Sequence, residues 1–438
     1  RIVELAEKHG IQIQARLSNP PDWALDGNDP TGLSIPVDMQ DYVDFAVTTA
    51  QHYQGRIRYY QIWNEPNIFP EWGAFGDGSP RPVDPEHYTE LLCRTYEALK
   101  AVDPDIVVIS GALAPTNPLW LRDLNDFVYL QRMYTAGAGQ CFDILSMQGY
   151  GLNSGPTDRR MRPTTVNIGR NQYVRDIMVA NGDAHKPIWI SEAAWNFVPS
   201  ESDYPDPIEA RYNYGQVTME QAAEYMPLLY QRAKEEWAWV GVINYWYFTQ
   251  PDDSLKDRSW YYFRMTEPDY SDDKPTYTTL PVYNAMKAYI TTQTPTLYQG
   301  VHQLDDHYAV NYGADTIVMP IDGAWFDQAI QTKGVNFMTQ GTDVLLRWQG
   351  GNIRVVLDGI TVKDLNEAVG DWRLTTLYSS LLPDTHTIAI EADKLVTLDS
   401  VTVLDQRFQK LYPLVTLALI GAGMLILAIG VGLRARND

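Results

Sequence analysis

The sequence predicts an α/β domain followed by a separate all-β module. Three observations lead there. Short apolar, β-prone runs alternate with amphipathic helical stretches over residues 1–295, the pattern of a parallel sheet covered by helices. From about residue 296 the helices stop, and strand-like runs follow one another across Gly and Asp turns. A doubly wound sheet is the rival for the first part, but no Gly-rich phosphate turn follows its first strand.

The elements can be justified in order. Residues 1–10 pattern as an amphipathic helix stopped at Gly10. With no initiator Met before that helix, the chain is expected to begin inside a domain of a longer precursor. Ile11–Leu17 alternates as a strand, broken by Pro20-Pro21. A helix is predicted over Val37–Tyr53 and a strand over Ile57–Trp63, then a Pro/Gly loop from Pro66 to Pro85. A helix from His87 to Val102, the apolar strand Ile106–Ile109, a helix over Leu119–Ala136 and a strand over Phe142–Tyr150 follow. Helix 167–181, strand Pro187–Glu192, one or two helices over 209–237, strand Val240–Trp246 and helix Pro281–Thr292 complete the domain. Strands at Val335–Met338, Asp343–Trp348, Ile353–Leu357, Thr385–Ile390 and Leu398–Leu404 predict a β-sandwich within residues 296–406.

Leu411–Leu433 contains no charge, and as a helix it would span about 34 Å. That predicts a transmembrane helix. Arg434 and Arg436 in the short tail 434–438 place the C-terminus in the cytoplasm, so a single-pass membrane protein with its large domains outside the cell is expected.

Composition sets further bounds. The chain has 438 residues and a net charge of −21, which argues against binding a phosphate backbone, so no nucleic-acid partner is expected. Aromatic residues make up 12%, with 13 Trp and 28 Tyr, which suits sugar-stacking surfaces as well as core packing. Cys93 and Cys141 form no CxxC or Cys/His cluster; no metal site is predicted, and two buried free thiols are favoured over a disulfide.

Two strands end in glutamate. Tyr59-Tyr60-Gln61-Ile62-Trp63 runs into Asn64-Glu65-Pro66, and Ile188-Trp189-Ile190-Ser191 runs into Glu192. A strand's C-terminal end is where chemistry sits in a (β/α)8 barrel. One tripeptide alone is a weak signal; a second strand-end carboxylate in order strengthens it.

These residues resemble the acid/base and nucleophile strands of clan A glycoside hydrolases, with Trp63-Asn64-Glu65-Pro66-Asn67 and Trp189-Ile190-Ser191-Glu192 similar to family 39 and family 5 enzymes. The resemblance covers residues 1–292. It implies a TIM barrel in which Ile57–Trp63 is the fourth strand and Val240–Trp246 the eighth. Only one strand precedes the fourth, so the first two barrel strands are missing, and six strands leave exposed ladder edges. The family's arginine near the nucleophile is expected to lie in that missing part, and this chain alone to be impaired. Gln148 stands where such enzymes often carry His. The β-rich part resembles the jelly-roll modules attached to bacterial carbohydrate enzymes, as spacer, packing partner or sugar binder.

The resemblance implies hydrolysis of β-linked oligo- or polysaccharide by a retaining double displacement, without a cofactor and without an obligate protein partner. Glu65 would be the acid/base and Glu192 the nucleophile. Asn64 would hold the sugar 2-hydroxyl, Tyr150 would donate to Glu192, and Trp246 would floor the sugar unless it packs the barrel top. Trp23, Trp195 and Asn196 follow strand ends and are candidate cleft residues; Glu71, Trp72 and Asp252 are expected to be ordinary loop residues. The alternative is a surface protein that kept the barrel, lost catalysis and only binds carbohydrate.

Overall fold

The computed structural model describes residues 1–434 apart from 28, 205, 271–275, 306, 326–327 and 367–370, and side chains except at 253, 423 and 425–434. It divides into two compact units: Arg1–Ala233 with Trp239–Thr291, and Lys234–Ala238 with Thr292–Asp438.

In the first unit strand and helix alternate as the sequence predicts. The order is α1 (Ile2–Lys8), β1 (Gln14–Leu17), α2 (Met39–His52), β2 (Tyr59–Ile62), α3 (Pro85–Val102) and β3 (Val107–Ile109). Then come α4 (Asp126–Thr135), β4 (Leu145–Gln148), α5 (Asn171–Ala180), β5 (Ile188–Ala193), α6 (Met219–Glu236) and β6 (Val240–Tyr245). A two-stranded antiparallel pair, β7 (Thr266–Asp269) and β8 (Thr276–Thr279), precedes α7 (Pro281–Thr292).

The first three strands form one parallel sheet and the next three another. Parallel bridges Ile109↔Ile144 and Leu113↔Met147 join them into a single succession. That succession curls, because side chains of its first and last strands meet: Asn244 Nδ2 donates to Gln14 Oε1 at 2.9 Å. Gln14 donates on to Gln61 (2.8 Å), which also accepts from Ser191 Oγ (2.6 Å). A polar belt thus crosses four strands inside the curl. Among the described residues no backbone ladder joins β6 to β1, so both strands keep the open edge expected of a six-stranded barrel.

Helix ends follow their caps. Asp38 accepts from Gln40 N at the start of α2, and Asp84 from His87 N at the start of α3. The largest departure from the sequence pattern lies before α4. The helix predicted from Leu119 begins only at Asp126, because Asn125 caps it through Phe127 N and Val128 N. Residues 119–124 instead form a tight tip closed by a Leu119↔Leu124 bridge.

Cys93 and Cys141 are joined in a disulfide, which corrects the expectation of free thiols. Packing of α3 on the turn after α4 brings their Cα atoms to 4.7 Å, within disulfide range. A sequence separation of 48 gave no hint of that proximity.

The second unit is built on two long strands, β13 (Gln328–Gln349) and β16 (Arg373–Leu404). The others are β9 (Thr296–Leu297), β10 (Gly300–Gln303), β11 (Val310–Tyr312), β12 (Ile317–Pro320), β14 (Ile353–Leu357) and β15 (Ile360–Leu365). Except for the short parallel pair β9–β13, all pairings are antiparallel. Phe337, Val344, Leu346, Trp348, Ile388 and Val401 lie at the centre of its own core. The predicted strands at 335–338 and 343–348 merge because the register shifts between Gly341 and Asp343 without a turn. A Cβ on Gly341 would meet Val403 Cγ1 at 2.5 Å, so the backbone passes too close there for a side chain. Of the sandwich tryptophans, Trp348 is core, while Trp325 and Trp372 flank the Arg347 guanidinium at 5.1 and 4.4 Å.

Helix α8 (Arg407–Arg434) ends the unit. Its base is held by Lys410, whose Nζ donates to Asp343 Oδ1 and Ser380 O, each at 2.7 Å. Phe408, Leu414, Leu417 and Leu419 are exposed on it. Among the described residues no helix is long and apolar enough to cross a membrane. The expected span Leu411–Leu433 and its bilayer contact therefore find no support; side chains at 423 and 425–433 and the tail after Arg434 lie outside what the structure describes.

Candidate active site

One cavity of about 740 Å³ opens at the C-terminal ends of the strands. Every one of the six parallel strands supplies it: Arg16 from β1, Asn64 and Glu65 after β2, Ala114 after β3, Tyr150 after β4, Glu192 from β5 and Trp246 after β6. This convergence follows from parallel strands all ending on one side.

Glu65 is set on a bent backbone. Trp63 and Glu65 both have positive φ, 72° and 39°, in the region that non-glycine residues avoid. The bend is held on both flanks: Trp63 N donates to Leu17 O (3.0 Å) and Glu65 N to Ala112 O (2.9 Å). The Trp63 indole, fully buried, donates to Glu71 O at 3.0 Å. The strain is spent on turning Asn64 and Glu65 towards the cavity.

The two glutamates sit in unlike surroundings. Glu192 Oε1 accepts from Arg16 Nη1 at 2.6 Å, and its Oε2 accepts from Tyr150 Oη at 2.7 Å. Among the described residues Glu65 has no such ion pair. Burial, with the charges of Glu192 and Glu71 beside it, holds its proton well above the usual carboxylate range, and hydrogen bonding to Gln148 and the charge of Arg16 offset only part of this. Burial also raises the Tyr150 hydroxyl, aided by the Glu192 charge, so it stays a donor.

Asn64 links the two sides. Its Oδ1 accepts from Arg16 Nη1 (3.1 Å) and Gln148 Nε2 (3.3 Å), while its amide hydrogen-bonds Glu71. Gln148 is buried behind Asn64, at the place where a His was expected, and does not itself line the cavity. Trp246 lines the cavity edge-on to Tyr150, with ring centroids 6.2 Å apart.

Three expectations are corrected here. Trp195 is fully buried, its indole donating to Ser154 O at 2.7 Å, and a Cβ on Gly151 would strike its ring, so it packs beneath the loop. Asn196 is likewise buried, bound to Ser259 and to Val198 N. Trp23 lines a separate pocket with Tyr42, Phe45 and Asp41.

Two residues escaped sequence reasoning. Arg16 supplies the arginine expected in a missing strand; its place on a strand preceding two Glu-ended strands was the available signal. Glu71 is no ordinary loop residue: it lines the cavity, and burial raises its proton affinity. Nothing in its sequence context marks it. Among the described residues no cluster of His, Cys, Asp and Glu could hold a metal ion.

No protein-family model matches the chain, and no curated protein does. Solved structures similar to it include a family 39 glycoside hydrolase from Bacteroides cellulosilyticus WH2, at 18% identity and TM-score 0.47, covering 90% of this chain and 70% of that one. A monomeric beta-xylosidase from Caulobacter crescentus CB15 is similar at 15% identity and TM-score 0.44, covering 89% and 83%. A glucosidase from Croceicoccus marinus is similar at 14% and 0.46, covering 91% and 80%.

Proposed function

We propose that this chain carries the active site of a glycosidase that hydrolyses β-linked glycans by a retaining double displacement. The observation that carries this is the unequal pair in one cleft. Glu65, whose proton is held by desolvation and by the charges of Glu192 and Glu71, is the acid; Glu192, gripped by Arg16 and Tyr150, is the nucleophile.

The steps follow from that assignment. Glu192 attacks the anomeric carbon while the Glu65 proton passes to the departing oxygen. Glu65, now a carboxylate, takes a proton from water, which releases the sugar from Glu192. Tyr150 and Arg16 bind the Glu192 oxygens, so they orient the attacking lone pair. Asn64 faces the sugar 2-hydroxyl, and Trp246 packs against a ring face. The carboxyl excess of the cleft favours a neutral sugar over an anionic one. The disulfide supports a location in an oxidising compartment, outside the cytoplasm.

The test is a panel of aryl β-glycosides with the wild-type chain, Glu192→Ala and Glu65→Gln. Wild-type turnover that Glu192→Ala abolishes, with the β-anomer as first product in NMR, is the expected result. Full activity in Glu192→Ala, or an α-anomer first, refutes the assignment. Saccharide binding without any turnover would instead leave a carbohydrate-binding protein.

A further inference from the structure

The tip between Pro118 and Leu124 holds large apolar side chains out in water. Leu119, Trp120 and Leu121 are 70%, 75% and 74% exposed. Scattered exposed apolar residues are ordinary, but three in succession are not.

The tip is not a slack loop. Trp120 N donates to Asp123 O (3.1 Å), Asn125 N to Pro118 O (2.7 Å) and Val83 N to Leu121 O (2.7 Å). Asp123 Oδ1 accepts from Phe69 N at 2.9 Å, and the Arg122 guanidinium lies 4.8 Å from the Phe69 ring centre. The backbone thus fixes the three side chains in an exposed position, where a flexible loop would fold them back.

Its place relative to the cleft says what it meets. Arg122 and Asp123 line the cavity, and so do Ile68, Phe69 and Pro70, which lie three to five residues after Glu65. In the proposed reaction the leaving oxygen sits at Glu65, while Glu192 attacks from the opposite side. The group attached to the leaving oxygen therefore runs out along Phe69 and Pro70 towards the tip.

We propose that Leu119–Leu121 is a platform for an apolar aglycone, so that the substrates include neutral glycosides with an alkyl or lipid-like leaving group. This rests on the glycosidase assignment above. Trp120 covers the chain, Leu119 and Leu121 flank it, and the sugar stays in the polar cleft. An anionic head group is disfavoured by Glu71, Glu192 and Asp123 in the same cavity.

The test compares the octyl and methyl β-glycosides of the sugar that the aryl panel identifies, for the wild type and for the triple variant Leu119→Ser, Trp120→Ser, Leu121→Ser. All three side chains are exposed, so folding is spared, and an unchanged circular dichroism spectrum checks it. The wild type should favour the octyl glycoside in kcat/KM by about tenfold or more, and the variant should lose that preference while keeping its rate on the methyl glycoside. Equal wild-type rates on both substrates overturn the proposal and leave the glycosidase assignment standing. So does a variant slowed equally on both. Tip-dependent binding to phosphatidylcholine vesicles, with no change in substrate preference, would make the tip a lipid-surface contact and overturn it too. No turnover of either glycoside, or of any aryl glycoside, removes the assignment itself and the proposal with it.

Discussion

Opening the Cys93–Cys141 bridge should weaken the first unit by an amount that its loop length sets. The cysteines are 48 residues apart in sequence. In the chain-entropy treatment, closing a loop of that size removes about 14 cal/mol/K from the unfolded chain, or about 4 kcal/mol at 25 °C. For a unit of this size that corresponds to a fall in Tm of roughly 8 °C, at about 2 °C per kcal/mol. The assay is thermal unfolding followed by tryptophan fluorescence, with and without dithiothreitol, alongside the double variant Cys93→Ala, Cys141→Ala. Thiol titration in denaturant without reductant should find no reactive thiol. Two reactive thiols there would refute the bridge. An absent thiol signal with coincident melting curves would refute the loop-entropy reasoning, because the bridge would exist and contribute nothing.

Other outcomes follow from the site. Activity should fall as pH rises through the Glu65 ionisation, and Glu71→Gln should move that fall to lower pH, since it removes a negative charge that helps hold the Glu65 proton; a pH–kcat/KM profile checks both. Because folding raises the Glu65 proton affinity, the stability this group contributes is present at acid pH and is lost as pH rises from the ordinary value of 4.5 through the folded one. Glu65→Gln, which carries no charge, should therefore melt higher than wild type at pH above that window while losing activity. Arg16→Met should cut kcat/KM by at least about tenfold, since it strips a charge-assisted hydrogen bond from Glu192 and another from Asn64, and steady-state kinetics reads it. Asp126→Asn should cost about 3–5 kcal/mol in urea unfolding, because Arg170, 2% exposed, would keep a buried charge without its partner.

What the sequence revealed depended on whether a physical signal was local. The six strands were legible because each is a short β-prone run between helical stretches, and Glu65 and Glu192 because each ends such a run. The tip at Leu119–Leu124 was not. Its apolar residues fit a helical period, and the local cap at Asn125 together with the tertiary hydrogen bonds from Val83 and Phe69 decides against a helix. Trp195 and Asn196 failed for a similar reason. Following a strand end puts a residue near the cleft, but orientation decides access, and both turn inward onto Ser154 and Ser259. Glu71 and the disulfide are matters of distance between segments, which composition and period do not encode.

The placement of charge in the cleft argues that its asymmetry comes from where the arginine stands. Arg16 Nη1 reaches Glu192 and the Asn64 amide oxygen together, so this cation is committed to the β5 side. Asn64 passes hydrogen bonding on to Glu71, and against desolvation and two neighbouring negative charges Glu65 has the Gln148 amide and, weakest, the charge of Arg16. A carboxyl in that position lowers its energy by keeping a proton. The strained turn at Trp63 and Glu65 therefore does more than aim a side chain: it sets Glu65 where, among the described residues, Arg16 pairs with Glu192 and not with it. A chain in which that turn relaxed would let Glu65 compete for Arg16, and both carboxyls would then be ionised, leaving a nucleophile with no acid opposite it.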